Sequence, residues 1–112
     1  MDSCSPSLMA GVPELMILRL LAEREMYGYE LAKSIRVLSS DTLSLGEGVL
    51  YPALHALEMR KLLRSRRDRV NGRVRVYYAL AARGRKRLES LTAEWHRMAR
   101  GVEAVLGSPQ HG

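Results

Sequence analysis

Arginine is the residue type whose crowding points most directly to chemistry. Arg64, Arg66, Arg67, Arg69, Arg73 and Arg75 fall within one short stretch that holds a single acid, Asp68. A guanidinium fork donates paired hydrogen bonds to phosphate oxygens and keeps its charge at any ordinary pH. The chemistry this predicts is an electrostatic grip on a polyanion. The other reading is a charged edge strand that resists aggregation, although six arginines exceed what edge protection needs. A second basic run, Arg83, Arg85, Lys86 and Arg87, is compatible with phosphate contact or with a solvated face. Covalent chemistry has no footing here. There is no nucleophile–base pair, no glycine-rich phosphate loop and one cysteine, Cys4. His55 has no second histidine or cysteine beside it, so no metal is expected there. We expect no catalysis and no cofactor.

Composition bounds the fold. The chain has 112 residues, enough for one domain or a domain with an extended helix. Its hydrophobic content of 46% and charged content of 27% are globular values. Phe is absent, so aliphatic residues and Met must fill the core, which suits helices. The net charge of +6 again favours an anionic partner. One cysteine excludes an internal disulfide and fits a reducing cytoplasm. Met1 to Ala10 lacks the pattern of a signal peptide, and no apolar run is long enough to span a bilayer.

Periodicity then places the elements. Met1 to Gly11, rich in Ser, Pro and Gly, reads as a mobile arm, with Pro13 in the first turn of a helix. Leu15, Leu18, Leu21 and Ala22 form the stripe of that helix, and Leu31, Ile35 and Leu38 the stripe of a second over about 29–38. Ser44 and Glu47 have capping-box spacing at the start of a third helix, whose inward residues are Val49, Leu50, Leu54, Leu57 and Leu62. Pro52 should distort that helix locally. Val74, Val76, Tyr78 and Leu80 alternate as a strand, and Asn71-Gly72 signals a hairpin with a partner near 64–69.

Three helices followed by a hairpin is the order of a winged helix-turn-helix, a mainly α fold with a small β-hairpin. The third helix would enter a DNA major groove by its N-terminal half. Ser44, Glu47, Gly48, Tyr51 and His55 would then stand at the reading end. Glu47 can accept from a cytosine amine or simply cap the helix. Arg66, Arg69, Arg73 and Arg75 would grip the backbone from the wing.

Residues 82–106 read as one long helix. Leu88, Leu91, Trp95, Met98, Val102 and Val105 recur at steps of three and four, the pattern of a coiled-coil seam. A second copy of the chain is the simplest cover. Trp95 is either ordinary packing in that dimer or one wall of a slot for a planar aromatic effector.

The chain also resembles the PadR family of regulators. The matching strings are Tyr27-Gly28-Tyr29-Glu30-Leu31 and Gly48-Val49-Leu50-Tyr51-Pro52-Ala53-Leu54. Leu57-Glu58, Leu62-Leu63, Tyr77-Tyr78-Ala79-Leu80, Gly84-Arg85 and Glu94-Trp95 continue them. The resemblance runs from about Leu15 to Leu106. It implies a homodimeric regulator, usually a repressor, often released by small aromatic or drug-like molecules. It also implies DNA contacts from Tyr51 and its neighbours, from Tyr29 and Lys33, and from the wing arginines. The single short C-terminal helix is similar to the compact branch of the family. Tyr27 stands where the family often has His, Ala81 where a capping Thr is usual, and Val74 and Val76 where Pro and a basic residue are common.

The division expected is an arm over 1–11, a winged helix-turn-helix over 12–80, a dimerisation helix over 81–107 and a disordered tail over 108–112. The function expected is sequence-specific regulation of transcription by a homodimer on palindromic double-stranded DNA, in the cytoplasm. The alternative is a winged-helix scaffold for a protein partner that binds DNA weakly and without specificity.

Overall fold

The computed structural model describes residues 6–109, with side chains from residue 11 onward. Its elements are α1 (Pro6–Glu23), β1 (Met26–Tyr27), α2 (Gly28–Leu38), α3 (Glu47–Met59), β2 (Leu63–Val70), β3 (Arg73–Leu80) and α4 (Ala82–Leu106). This is the winged helix arrangement, with one strand added. The antiparallel sheet has the order β1-β3-β2.

Helix α1 is the centre of the molecule. Ile17, Leu18, Leu20 and Leu21 are all buried, because α2, α3, β3 and α4 each pack against it. A one-sided stripe through Leu15 and Ala22 therefore understates its burial. The helix also begins earlier than expected. Pro6, not Pro13, takes the tolerant first position, and Pro13 lies inside the helix, at the cost of one backbone hydrogen bond. Of the expected arm, residues 6–11 are thus helical, while Met1 to Ser5, with Cys4, lie outside the described residues.

Several inward assignments shift once three-dimensional cover is known. Leu31 and Ile35 are buried, but Leu38 is exposed where the chain leaves α2. On α3 the buried set is Leu50, Leu54 and Leu57. Val49 lies one residue off that stripe, some 100° round the helix, and is exposed. Leu62 is buried beyond the end of α3, in the connection to β2. Val74 is exposed because it stands near the tip of the hairpin, before β3 reaches the helices. The expected Ser44–Glu47 capping box is absent. Gly46 is the N-cap of α3, and its carbonyl accepts from the amides of Val49 at 3.1 Å and Leu50 at 2.9 Å. Capping is instead found at α2, where the Glu30 carboxylate reaches back to accept from the Tyr27 amide at 3.1 Å. Pro52 stays within α3 on its exposed side, so the carbonyl that loses a partner is near water.

The hairpin forms as its turn residues demand. Asn71 and Gly72 both hold positive φ, 53° and 78°, the signature of a type I′ turn matched to strand twist. The register pairs Leu63 with Leu80 at the base and Val70 with Arg73 at the tip. Helix α4 then returns across α1. Its start needs Gly84, since a Cβ there would collide with the Leu62 carbonyl and lie 2.6 Å from Leu80 Cδ1. The C-terminal end of α4, from Gly101 on, is exposed, and the molecule is elongated, with extents of 66 × 27 × 23 Å. Gly107 ends it, and residues 110–112 of the expected tail lie outside the described residues. Among the described residues no helix is long and apolar enough to cross a membrane.

Gly84→Ala is expected to destabilise the fold by about 2 kcal/mol, the scale of overpacking a tight contact. Thermal unfolding followed by circular dichroism measures this; an unchanged Tm would mean that α4 can lift from Leu62 at no cost.

Candidate nucleic-acid interface

The start of α3 is open to solvent. Ser44, Glu47, Gly48, Tyr51 and His55 are all exposed, while Leu50, Leu54 and Leu57 hold the other side of the helix in the core. Tyr51 is placed by Gly28. A Cβ on Gly28 would lie 2.8 Å from Tyr51 Cζ, so the ring rests across the first turn of α2, and only glycine leaves room for it. On α2, Tyr29 and Lys33 stand four residues apart on one exposed face. The sequence-expected positions on α2 and α3 therefore meet on one surface. Glu47 occupies the first turn of α3, where a carboxylate favours the helix dipole.

The wing arginines divide into two sets. Directly paired residues share a face of the sheet, so Arg66, Tyr77, Asp68 and Arg75 lie on one side and Arg67, Arg69, Val74 and Val76 on the other. On the first side the guanidinium of Arg66 sits 4.7 Å from the Tyr77 ring centre, and that of Arg75 sits 4.4 Å from the Tyr27 ring centre. Tyr27 meets Tyr77 edge to face at 5.4 Å and stacks beside Tyr29 at 6.3 Å. Arg66 also donates to Glu25 through both Nε, at 3.1 Å, and Nη2, and pairs with Asp68 at 3.3 Å. Thus Arg66 and Arg75 are engaged inside the wing, which they brace against the α1–α2 connection. Arg69 and Arg73 are exposed near the tip. The bracing set was hidden from sequence reading because β1 is only two residues long, and its pairing with Tyr77 and Tyr78 is non-local.

This bracing has a charge signature. The hydrogen bond from Arg66 holds the Glu25 carboxyl below its ordinary range, with the Arg66 charge adding to the effect. Hydrogen bonds to Glu25 and then Asp68 push the Arg66 guanidinium further up. Burial raises the Tyr78 phenol.

On α4 the proposed seam is used unevenly. Leu91 is 8% exposed and Leu88 half-buried, both packed into the chain's own core. Trp95, Met98 and Val102 are exposed, and Val105 is 75% exposed. Trp95 and Met98 line a cleft of about 410 Å³ with Val12 and Leu15 of α1, rimmed by Glu94 and Arg97. Among the described residues no group of three or more His, Cys, Asp or Glu is placed to hold a metal.

Comparison with known proteins agrees with this geometry. The transcriptional regulator PadR-like family matches residues 17–90, two-thirds of the chain. The chain belongs to the PadR-like family. A transcriptional regulator from Clostridium thermocellum superposes with a TM-score of 0.80 at 28% identity, covering 89% of this chain and 95% of that one. A PadR family regulator from Eggerthella lenta gives 0.77 at 30% identity, with 92% and 88% covered. Another, from Clostridium difficile, gives 0.74 at 31% identity, with 85% and 98% covered. PadR-type proteins are transcriptional regulators that bind DNA.

The Glu25–Arg66 pair predicts a pH dependence with a definite sign. Because the folded carboxyl titrates below its unfolded value, the pair stabilises the wing above the unfolded pKa. That contribution is lost as pH falls through the lower folded value. Protection of the β2 and β3 amides from hydrogen exchange should drop between about pH 6 and about pH 3. In Glu25→Gln the reduced protection should already be present at about pH 6. Equal protection in the two proteins would show that the pair does not brace the wing.

Proposed function

We propose that the chain is a homodimeric repressor that reads a two-fold-symmetric operator, with two winged helices held at a fixed spacing by paired α4 helices. The observation that carries this reading is the joint exposure of Tyr29, Lys33 and Tyr51 on one surface, with a basic wing beside it. Glu47, Gly48, Tyr51 and His55 enter the major groove, with Ser44 at its rim. Arg69 and Arg73 at the wing tip meet phosphates or the minor groove. Arg66 and Arg75 hold the wing in shape and add to its field.

The exposed apolar face from Trp95 to Val105 supports a second copy as cover, because water contact there is unfavourable and, among the described residues, only the start of α1 approaches it, beside Trp95 and Met98. Leu88 and Leu91 anchor α4 to its own domain and so transmit the spacing. Trp95, lining its cleft beside the uncovered face, is placed to stack on a planar aromatic effector that alters this spacing. Such a regulator works where the chromosome is, in the cytoplasm.

Purified protein titrated against promoter DNA of its own and adjacent genes, with competitor and at two salt concentrations, tests the reading. A specific shift that weakens with salt is expected, on half-sites roughly 34 Å apart. Retarded DNA that competitor removes completely would favour the protein-scaffold alternative. Arg69→Ala combined with Arg73→Ala should lower the salt slope by about 2, one per lost phosphate contact; an unchanged slope takes the wing tip out of the interface. Met98→Lys places a charge in the apolar face and should yield monomers in sedimentation. A stable dimer would place the interface elsewhere. Trp95 fluorescence should respond to planar aromatic compounds, and silence across a broad panel removes the effector role.

A further inference from the structure

The basic run that opens α4 has no part in the surface just described, and the fold brings it to a second basic group. With Gly84 seated against the Leu62 carbonyl, Arg83, Lys86 and Arg87 line a cleft of about 590 Å³ together with Arg60, Lys61 and the Ser90 hydroxyl. Glu14 pairs with Arg60 at 3.3 Å and with Arg87 at 3.1 Å. One carboxylate thus serves two guanidinium groups. Among the described residues no carboxylate lies within ion-pair distance of Lys61, Arg83 or Lys86. Like charges gathered in a concave site focus a positive potential and concentrate anions.

Lys61 supplies an independent observation. The turn that ends α3 has the Leu62 amide donating to the Leu57 carbonyl at 3.0 Å and the Lys61 amide to the Glu58 carbonyl at 2.9 Å. The residue between must be left-handed, and Lys61 has φ 65°. Glycine adopts that conformation without strain, whereas a lysine there opposes stability. Strain of this kind is held in place by the surrounding structure and clusters at functional sites, and here the side chain adds charge to the cleft. The cleft lies at the C-terminal end of α3, about 18 Å along the helix from Glu47.

We propose that this cleft is a phosphate-binding site separate from the reading surface, gripping a polyphosphate-type anion through Lys61, Arg83 and Lys86. The phosphates come either from a free phosphorylated solute or from a DNA backbone segment outside the operator contact.

The test uses the full chain, ¹⁵N-labelled and titrated with tripolyphosphate against sodium chloride of equal ionic strength. Saturable amide shifts at 60–62 and 83–90, absent with chloride, are expected. Equal shifts with chloride, or shifts confined to the wing at 64–75, overturn the proposal. Lys61→Gly separates charge from structure. It should raise Tm by relieving strain, and together with Lys86→Gln it should weaken tripolyphosphate about tenfold, the loss expected for hydrogen bonds to a charged group. A raised Tm with undiminished affinity also overturns the proposal. The source is then read by adding duplex DNA to the loaded protein. Displacement of tripolyphosphate from the cleft assigns the site to DNA, and DNA binding with the cleft still occupied assigns it to a free solute.

Discussion

Burial of α1 is the constraint on which the other parts depend. Ile17 and Leu18 have no exposed surface, and α2, α3, β3 and α4 all gather round the helix that carries them. A small chain without Phe must reach close packing with aliphatic side chains, and a helix surrounded on several sides does this with the fewest residues. Among the described residues the core holds no buried charged side chain, and Tyr78 brings the one phenol into it. Polar chemistry is therefore left on the surface, where it is free to serve recognition. Glu14 extends the same helix's influence outward, since it ties α1 to Arg60 after α3 and to Arg87 on α4.

The surplus of arginine is handled by pairing part of it internally. Arg66 and Arg75 rest on tyrosine rings, and Arg66 is further held by Glu25 and Asp68. Each contact is exposed and modest on its own. Together they link the wing to the α1–α2 connection, so a two-stranded ribbon that would be marginal alone is given a third partner. A wing held in one shape loses less entropy when it meets DNA. Among the described residues Arg69 and Arg73 at the tip make no ion pair or ring contact, which leaves their charge for an anion.

Helix α4 joins two roles along its length. Its first half belongs to the domain, anchored by Leu91 and the close approach at Gly84, and its second half carries apolar residues outward. In a dimer, stability and the spacing between reading helices would become one linked quantity, dependent on protomer concentration. In such a dimer a ligand near Trp95 would act on the helix that would also set the spacing, so no long relay of contacts would be required.

Much of this organisation was legible in the chain itself. The three helices, the hairpin with its Asn71-Gly72 turn, the long last helix and the exposed start of α3 all follow from local periodicity and turn chemistry. The family follows from strings such as Tyr51-Pro52-Ala53-Leu54 and Tyr77-Tyr78. What local patterns could not supply is whatever depends on which surface another element covers. Leu38 and Val74 fit apolar stripes yet are exposed, because among the described residues nothing packs over the end of α2 or the outer wing. Leu88 and Leu91 fit a seam yet serve the chain's own core, since α1 lies against them. The capping box predicted at Ser44 gives way to Gly46, while Glu30 performs that role at α2. The separation of the arginines into bracing and open sets came from strand register and a two-residue strand. Period and turn type are properties of neighbours in sequence, and cover is a property of neighbours in space; only the tertiary structure decides the second.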